Sequence, residues 1–137
     1  MQEPTATETT SWRIEELRRL EMCERALAHA YRSHPRSGEL WDGELNRIAM
    51  HHLQHAAILR GRLAALGAEP GDGMDDEWVR GGDLVDAERA SLATYHDHLT
   101  DLDPATARAV VEFVIPDHAM ALHCLDPQFE PDRDGAE

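Results

Sequence analysis

The chain of 137 residues predicts an all-α fold, a bundle of four helices arranged as two hairpins joined by a crossover. Three observations carry that expectation. Leu and Ala supply most of the apolar residues, while strand-forming runs are nearly absent, VVEFVI at 110–115 being the exception. Apolar residues recur at helical spacing in four separate stretches. Helix stops and starts divide those stretches cleanly: His34-Pro35, Gly67 with Pro70, Asp83, and Asp103-Pro104.

The first helix is expected from about Trp12 to Ser33, where His34-Pro35 stops it. Its apolar stripe is Leu17, Leu20, Leu27 and Tyr31. The second helix runs from about Glu39 to Leu66 and ends at Gly67, with Leu45, Ile48, Leu59, Leu63 and Leu66 inward. A Gly- and Asp-rich segment follows, GAEPGDGMDDEWVRGG, too long for a tight turn and therefore read as the crossover between the hairpins. Asp83 is the expected N-cap of a third helix reaching about Leu102, with Leu84, Leu92, Tyr95, Leu99 and Leu102 inward. Asp103-Pro104 opens a fourth helix that ends near Leu125, and Pro116 inside it predicts a kink. Its inner face is expected to carry Phe113, Pro116, Met120 and His123, with Asp117 and Cys124 beside them and His118 outward. The bundle therefore occupies residues 11–125, and the polar, acidic stretches 1–10 and 126–137 are expected to be disordered tails.

Composition narrows the function. A formal net charge of -14 repels phosphates, so neither nucleic acid nor an anionic membrane is an expected partner. No apolar run is long enough to span a bilayer, and MQEPTATETTSW lacks the basic and apolar regions of a signal peptide. Two cysteines, Cys23 and Cys124, do not make a disulfide framework, so the expectation is a reduced, cytoplasmic protein.

Chemistry enters where polar residues interrupt the apolar stripes. Glu24 falls between Leu20 and Leu27, and Glu88 occupies the equivalent place on the third helix. The two belong to similar stretches, CERALAHAY and AERASLATY, in which Glu24 and Tyr31 recur as Glu88 and Tyr95 after 64 residues, as a duplicated hairpin would leave them. A buried carboxylate needs a partner, and an arginine or a tyrosine hydroxyl would suffice for each taken singly. On the second helix, AMHHLQHAA puts His52 and His55 in the two inward positions between Ile48 and Leu59, with His51 at the border. His29, His34, His96 and His98 read as surface residues. Two histidines facing two glutamates at one depth are a candidate metal site, joined from the fourth helix by His123.

This arrangement resembles the ferritin-like superfamily, whose pattern is one inward Glu from each of helices 1 and 3 and a Glu-x-x-His motif from each of helices 2 and 4. Glu24 and Glu88 match the single glutamates, HLQH at 52–55 stands at the second-helix motif and MALH at 120–123 at the fourth. Over roughly residues 14–126 the chain is similar to small bacterial ferritin-like proteins labelled as a domain of unknown function. The resemblance implies a metal centre at Glu24, His52, His55, Glu88 and His123. In both motifs the Glu is replaced, by His52 and by Met120, so two carboxylates of a di-iron centre are missing. The resulting imidazole-rich set suits a transition ion such as Zn, Cu or a single Fe, with redox or metal-handling chemistry. Asp117 would restore a carboxylate if turned inward. The alternative is a non-enzymatic bundle with a decayed site, acting as a homodimer or with a partner through apolar surface around Trp12, Trp41 and Trp78. A hemerythrin-like site, suggested by His51-x-x-x-His55 with His118 and His123, lacks the expected His and His-x-x-x-Glu partners from the first and second helices.

Overall fold

The computed structural model describes the backbone of residues 6–34 and 39–125, and the side chains of 13–34 and 43–125. Among these residues it is all-helical, without a strand. Helix α1 spans Ala6–Ser33, α2 Glu39–Ala65 and α3 Leu84–His98, followed by a 3-10 turn at Leu99–Asp101. The fourth helical stretch has three contiguous pieces: α4 (Pro104–Ala109), a π-helical turn (Val110–Val114) and α5 (Ile115–Leu125). Residues 6–10, expected in a disordered tail, already belong to α1, while 1–5 and the acidic stretch 126–137 lie outside the described residues.

The helix ends follow from local chemistry. Gly67, at φ 76°, ends α2: its N–H bonds to Ala64 O at 2.9 Å and that of Ala68 to Leu63 O at 2.9 Å. This closes the last carbonyls in a left-handed turn that a residue with a Cβ resists. Asp83 caps α3 by accepting from the N–H groups of Val85 and Asp86, and Asp103 caps α4 by accepting from Thr106 N–H, with Pro104 at the first helical position.

Packing pairs α1 with α2 and α3 with α5. Leu17, Leu20, Leu27 and Tyr31 of α1 are fully buried, as are Ile48, Leu59 and Leu63 of α2. Each such leucine contributes about 1.5–3 kcal/mol of transfer free energy. The segment between α2 and α3 lies against α1 at several points: Arg18 Nε donates to Glu69 O at 2.8 Å and Asp75 N–H to Met22 O at 3.3 Å. Trp78 on this segment is 4 % exposed, so it belongs to the core and not to an apolar surface. The side chains of Trp12 and Trp41 are outside the described set.

The fourth helical stretch departs most from expectation. Pro116 has no N–H to donate, and its ring would collide with the carbonyl of Glu112 in a regular α-helix. A π-helical turn stands just before it, with Ile115 N–H bonded to Val110 O, and the helix then resumes. The wider turn keeps residues four apart aligned, so Val110, Val114 and His118 form the buried line, continued by Ala121 and Leu122. The stripe Phe113, Pro116, Met120 and His123 therefore faces outward, with Phe113 55 % and Met120 53 % exposed.

Candidate metal centre

Two glutamates and three histidines meet in the middle of the bundle, all of them buried: Glu24 from α1, His52 and His55 from α2, Glu88 from α3 and His118 from α5. Their order is simple. Each imidazole turns one nitrogen to Glu24 and its other nitrogen to a different carboxylate. His52 Nδ1 lies 2.8 Å from Glu24 Oε1, and its Nε2 lies 2.6 Å from Glu88 Oε2. His118 Nε2 lies 2.7 Å from Glu24 Oε2, and its Nδ1 lies 2.9 Å from Glu88 Oε1. His55 Nδ1 is 3.3 Å from Glu24 Oε1, and its Nε2 is 2.8 Å from Asp117 Oδ2.

Tyrosines cap both glutamates. Tyr31 of α1 donates its hydroxyl to Glu88 Oε2 at 2.5 Å, and Tyr95 of α3 donates to Glu24 Oε2 at 2.5 Å. The repeated Glu…Tyr pair thus crosses over, each tyrosine serving the glutamate of the other repeat. Tyrosine pairing, which would explain each buried glutamate taken singly, coexists here with a convergence of histidines. Ser91 donates to Glu88 O at 2.7 Å, leaving its oxygen to accept from His118 Nδ1 at 2.6 Å. Trp78 lies over the centre, its ring 5.7 Å from Tyr95 and 6.1 Å from His118, with Nε1 donating to Thr94 Oγ1 at 3.1 Å.

Electrostatics follow the geometry. Burial pushes Glu24 toward its neutral form, but the imidazoles of His118 and His52 outweigh it and hold the carboxyl well below the ordinary range. Glu88 is likewise pushed up by burial yet drawn down to about 2 by His52 and His118. Burial alone would lower His118, whereas Glu24 and Glu88 raise it to about 10. Burial also lowers His52 and His118 repels its charge, while Glu88 and Glu24 raise it overall. Burial, then Glu88 for Tyr31 and Glu24 for Tyr95, push both phenols above their usual value. The buried carboxylates favour the charged form of His52 and His118, and these imidazoles in turn favour the charged form of Glu24 and Glu88.

The sequence-predicted residues divide as follows. Glu24, His52, His55 and Glu88 come together. His123 does not: it is exposed on α5. Its place is taken by His118, read from sequence as outward but 0 % exposed. The register set by the π-helical turn causes the exchange. The signal available in sequence is the four-residue spacing Val110, Val114, His118, Leu122, hidden because VVEFVI is apolar on every side. Asp117 does turn toward the centre, through His55, and remains partly exposed. His29, His34 and His96 are exposed and His98 half-buried, away from the cluster.

Glu24, His52, His55 and His118 each offer a ligand atom within 4.8 Å of the others, so the cluster can hold a metal ion. Neither a protein family, nor a characterised protein, nor a solved structure matches the chain. No helix of the described residues is long and apolar enough to cross a membrane. A smaller group, Cys23, Asp75 and Glu77, also brings ligand atoms within 4.8 Å. Its Glu77 is already engaged by Arg19, and burial holds the Cys23 thiol in its protonated form.

Proposed function

We propose that the chain is a ferritin-like four-helix bundle that binds one transition-metal ion through Glu24, His52, His55 and His118. The observation that carries this reading is the two-sided placement of every imidazole. Metal-ligating histidines characteristically direct one nitrogen at the ion and donate the other N–H to a carboxylate, which fixes the ring and raises its basicity. Glu88 serves His52 and His118 in this way, and Asp117 serves His55. Glu88 is then an orienting residue and not a ligand. Three nitrogens and one carboxylate oxygen suit Zn, Cu or Fe better than a carboxylate-bridged pair of irons. A bound ion would supply Lewis acidity or, as Cu or Fe, a redox couple. The chain's own residues keep the site dry and hold its ligands in place.

Elemental analysis of untagged protein, purified and then reconstituted with each metal, tests the proposal. About one equivalent per chain is expected, with affinity falling at acid pH as protons compete for the ligands. Less than about a tenth of an equivalent of every metal would overturn it.

A second reading is association, favoured by the outward stripe on the fourth helix. Val111, Phe113 and Met120 are exposed there. The carboxylates beside them are already engaged, Glu112 by Arg108 and Asp117 by His55. On a chain of net charge -14, this face lets a second copy approach with little repulsion. Sedimentation at micromolar concentration tests it: a monomer there, with Phe113→Ser changing nothing, counts against a homodimer.

A further inference from the structure

We infer that Asp117 is the carboxylate through which a divalent ion enters the buried centre, an inference that rests on the proposed metal site. Of the six carboxylate and imidazole side chains joined in the cluster, five are closed to solvent, with Glu24, Glu88 and His118 at 0 % and His52 and His55 at 1 %. The Asp117 side chain is 30 % exposed. Its Oδ2 sits 2.8 Å from His55 Nε2, and His55 Nδ1 sits 3.3 Å from Glu24 Oε1. Solvent, Asp117, His55 and Glu24 thus form one line from the surface to the carboxylate at the heart of the site.

Among the described residues, rings cover other sides of the cluster. Tyr31 and Tyr95 cap the glutamates, and Trp78 lies over Tyr95 and His118. A hydrated divalent ion cannot cross such a wall of rings, because losing its water with nothing in exchange is prohibitive. It can enter where a carboxylate replaces some of that water at the surface and an imidazole replaces more within. Asp117 is suited to the first exchange. Its charge is not taken by an arginine among the described residues, unlike that of Glu112, which Arg108 holds at 3.1 Å. His55 is suited to the second, since it stands between Asp117 and Glu24 with one nitrogen toward each.

Entry and ligation differ in what they do to rates. An entrance residue changes the loading rate, whereas a residue that only supports a ligand weakens affinity through faster release and leaves loading alone. Stopped-flow mixing of the metal-free full-length chain with Co(II), followed by its visible absorption and by release to a chelator, separates them. Asp117→Asn is expected to bind one Co(II) per chain more weakly, having lost the carboxylate behind His55, and, as the mark of an entrance, to load about tenfold or more slowly. Loading of the wild type is expected to slow as salt is raised, a dependence that is weaker in Asp117→Asn. Asp117→Glu is expected to restore the rate, which also excludes a folding defect at this position as the cause. Unchanged loading in Asp117→Asn overturns the entrance, as does unchanged loading with faster release and weaker binding. A wild-type chain that takes up no Co(II) overturns the metal site itself, and the entrance with it.

Discussion

Glu21 and Glu24 lie one turn apart on α1, both fully buried, and the protein neutralises them in opposite ways. Glu21 is gripped by arginines: Arg25 Nε at 2.7 Å, Arg25 Nη2 at 2.9 Å and Arg60 Nη1 at 2.7 Å. Glu24 is held by Tyr95 and by His52, His55 and His118. A guanidinium cannot lose its proton in a protein and has no lone pair to offer. An imidazole can give up its proton and bind an ion through the freed nitrogen. The arginine-held glutamate is locked as structure, while the histidine-held one belongs to the cluster that could hold a metal ion. Burial is equal in the two cases, so partner chemistry alone separates them.

The sharpest break in this contrast is a pair of isosteric substitutions. Glu24→Gln is expected to weaken Co(II) binding by about 100-fold or more, since it removes the one anionic ligand among three imidazoles. Glu21→Gln is expected to leave Co(II) affinity intact and to lower unfolding stability by about 1–3 kcal/mol, Arg25 and Arg60 being exposed enough to turn to water. Titration of Co(II) and urea denaturation of both variants give the two readings. Equal metal affinity in the two variants would remove the distinction. Glu88→Gln falls between them: with its carboxylate behind His52 and His118, binding should weaken by about 10- to 100-fold while the spectrum of the bound ion persists.

The metal-free protein should also show the histidine-held cluster in its pH dependence. Against the effect of burial, His118 is raised by Glu24 and Glu88 from the ordinary 6.5 of an imidazole to about 10, so its contribution to stability is complete below 6.5 and lost as pH rises through 10. Glu88 is lowered from 4.5 to about 2, so its contribution is complete above 4.5 and lost as pH falls through 2. Between these limits urea midpoints of the metal-free chain should form a plateau near pH 4.5–6.5. His118→Gln should flatten the alkaline limb, and Glu21→Gln should leave it in place. An alkaline limb that survives in His118→Gln would assign it to another group.

The crossed tyrosines give a smaller effect of the same kind. Tyr95→Phe and Tyr31→Phe each take a hydroxyl donor from a buried carboxylate and should each cost about 1–3 kcal/mol of stability. Only Tyr95 touches the proposed ligand Glu24, so Co(II) affinity should fall more in Tyr95→Phe than in Tyr31→Phe. Equal losses would place Glu88 on the ion as well.

What sequence could and could not foretell follows the same chemistry. Glu24, Glu88, His52 and His55 are legible because each interrupts an otherwise apolar stripe at helical spacing. Asp83 and Asp103 are legible as caps because the requirement is local. Glu21 is not, since its neutralising Arg60 comes from α2 and only the tertiary packing of α1 on α2 brings it there. His118 is hidden for a different reason. The run VVEFVI has no polar side to orient it, and the π-helical turn that sets the register answers to Pro116 and not to any periodicity.

That register yields the most direct check on the helix, a comparison in which one arm, His123, carries the smallest predicted effect. Two imidazoles lie five residues apart on α5, and only one can face the core. His118→Ala should abolish tight Co(II) binding, because it removes a ligand nitrogen and leaves Glu24 Oε2 and Glu88 Oε1 without their shared partner. His123→Ala, at an exposed position, should bind Co(II) as the wild type does and unfold within about 0.5 kcal/mol of it. The reverse result would mean that α5 is turned by about half a rotation about its axis, with Met120 and His123 inward as an uninterrupted α-helical stripe predicts. A buried His118 instead requires the extra width of the turn at Val110–Val114, so this comparison of two histidines tests the backbone and the metal centre together.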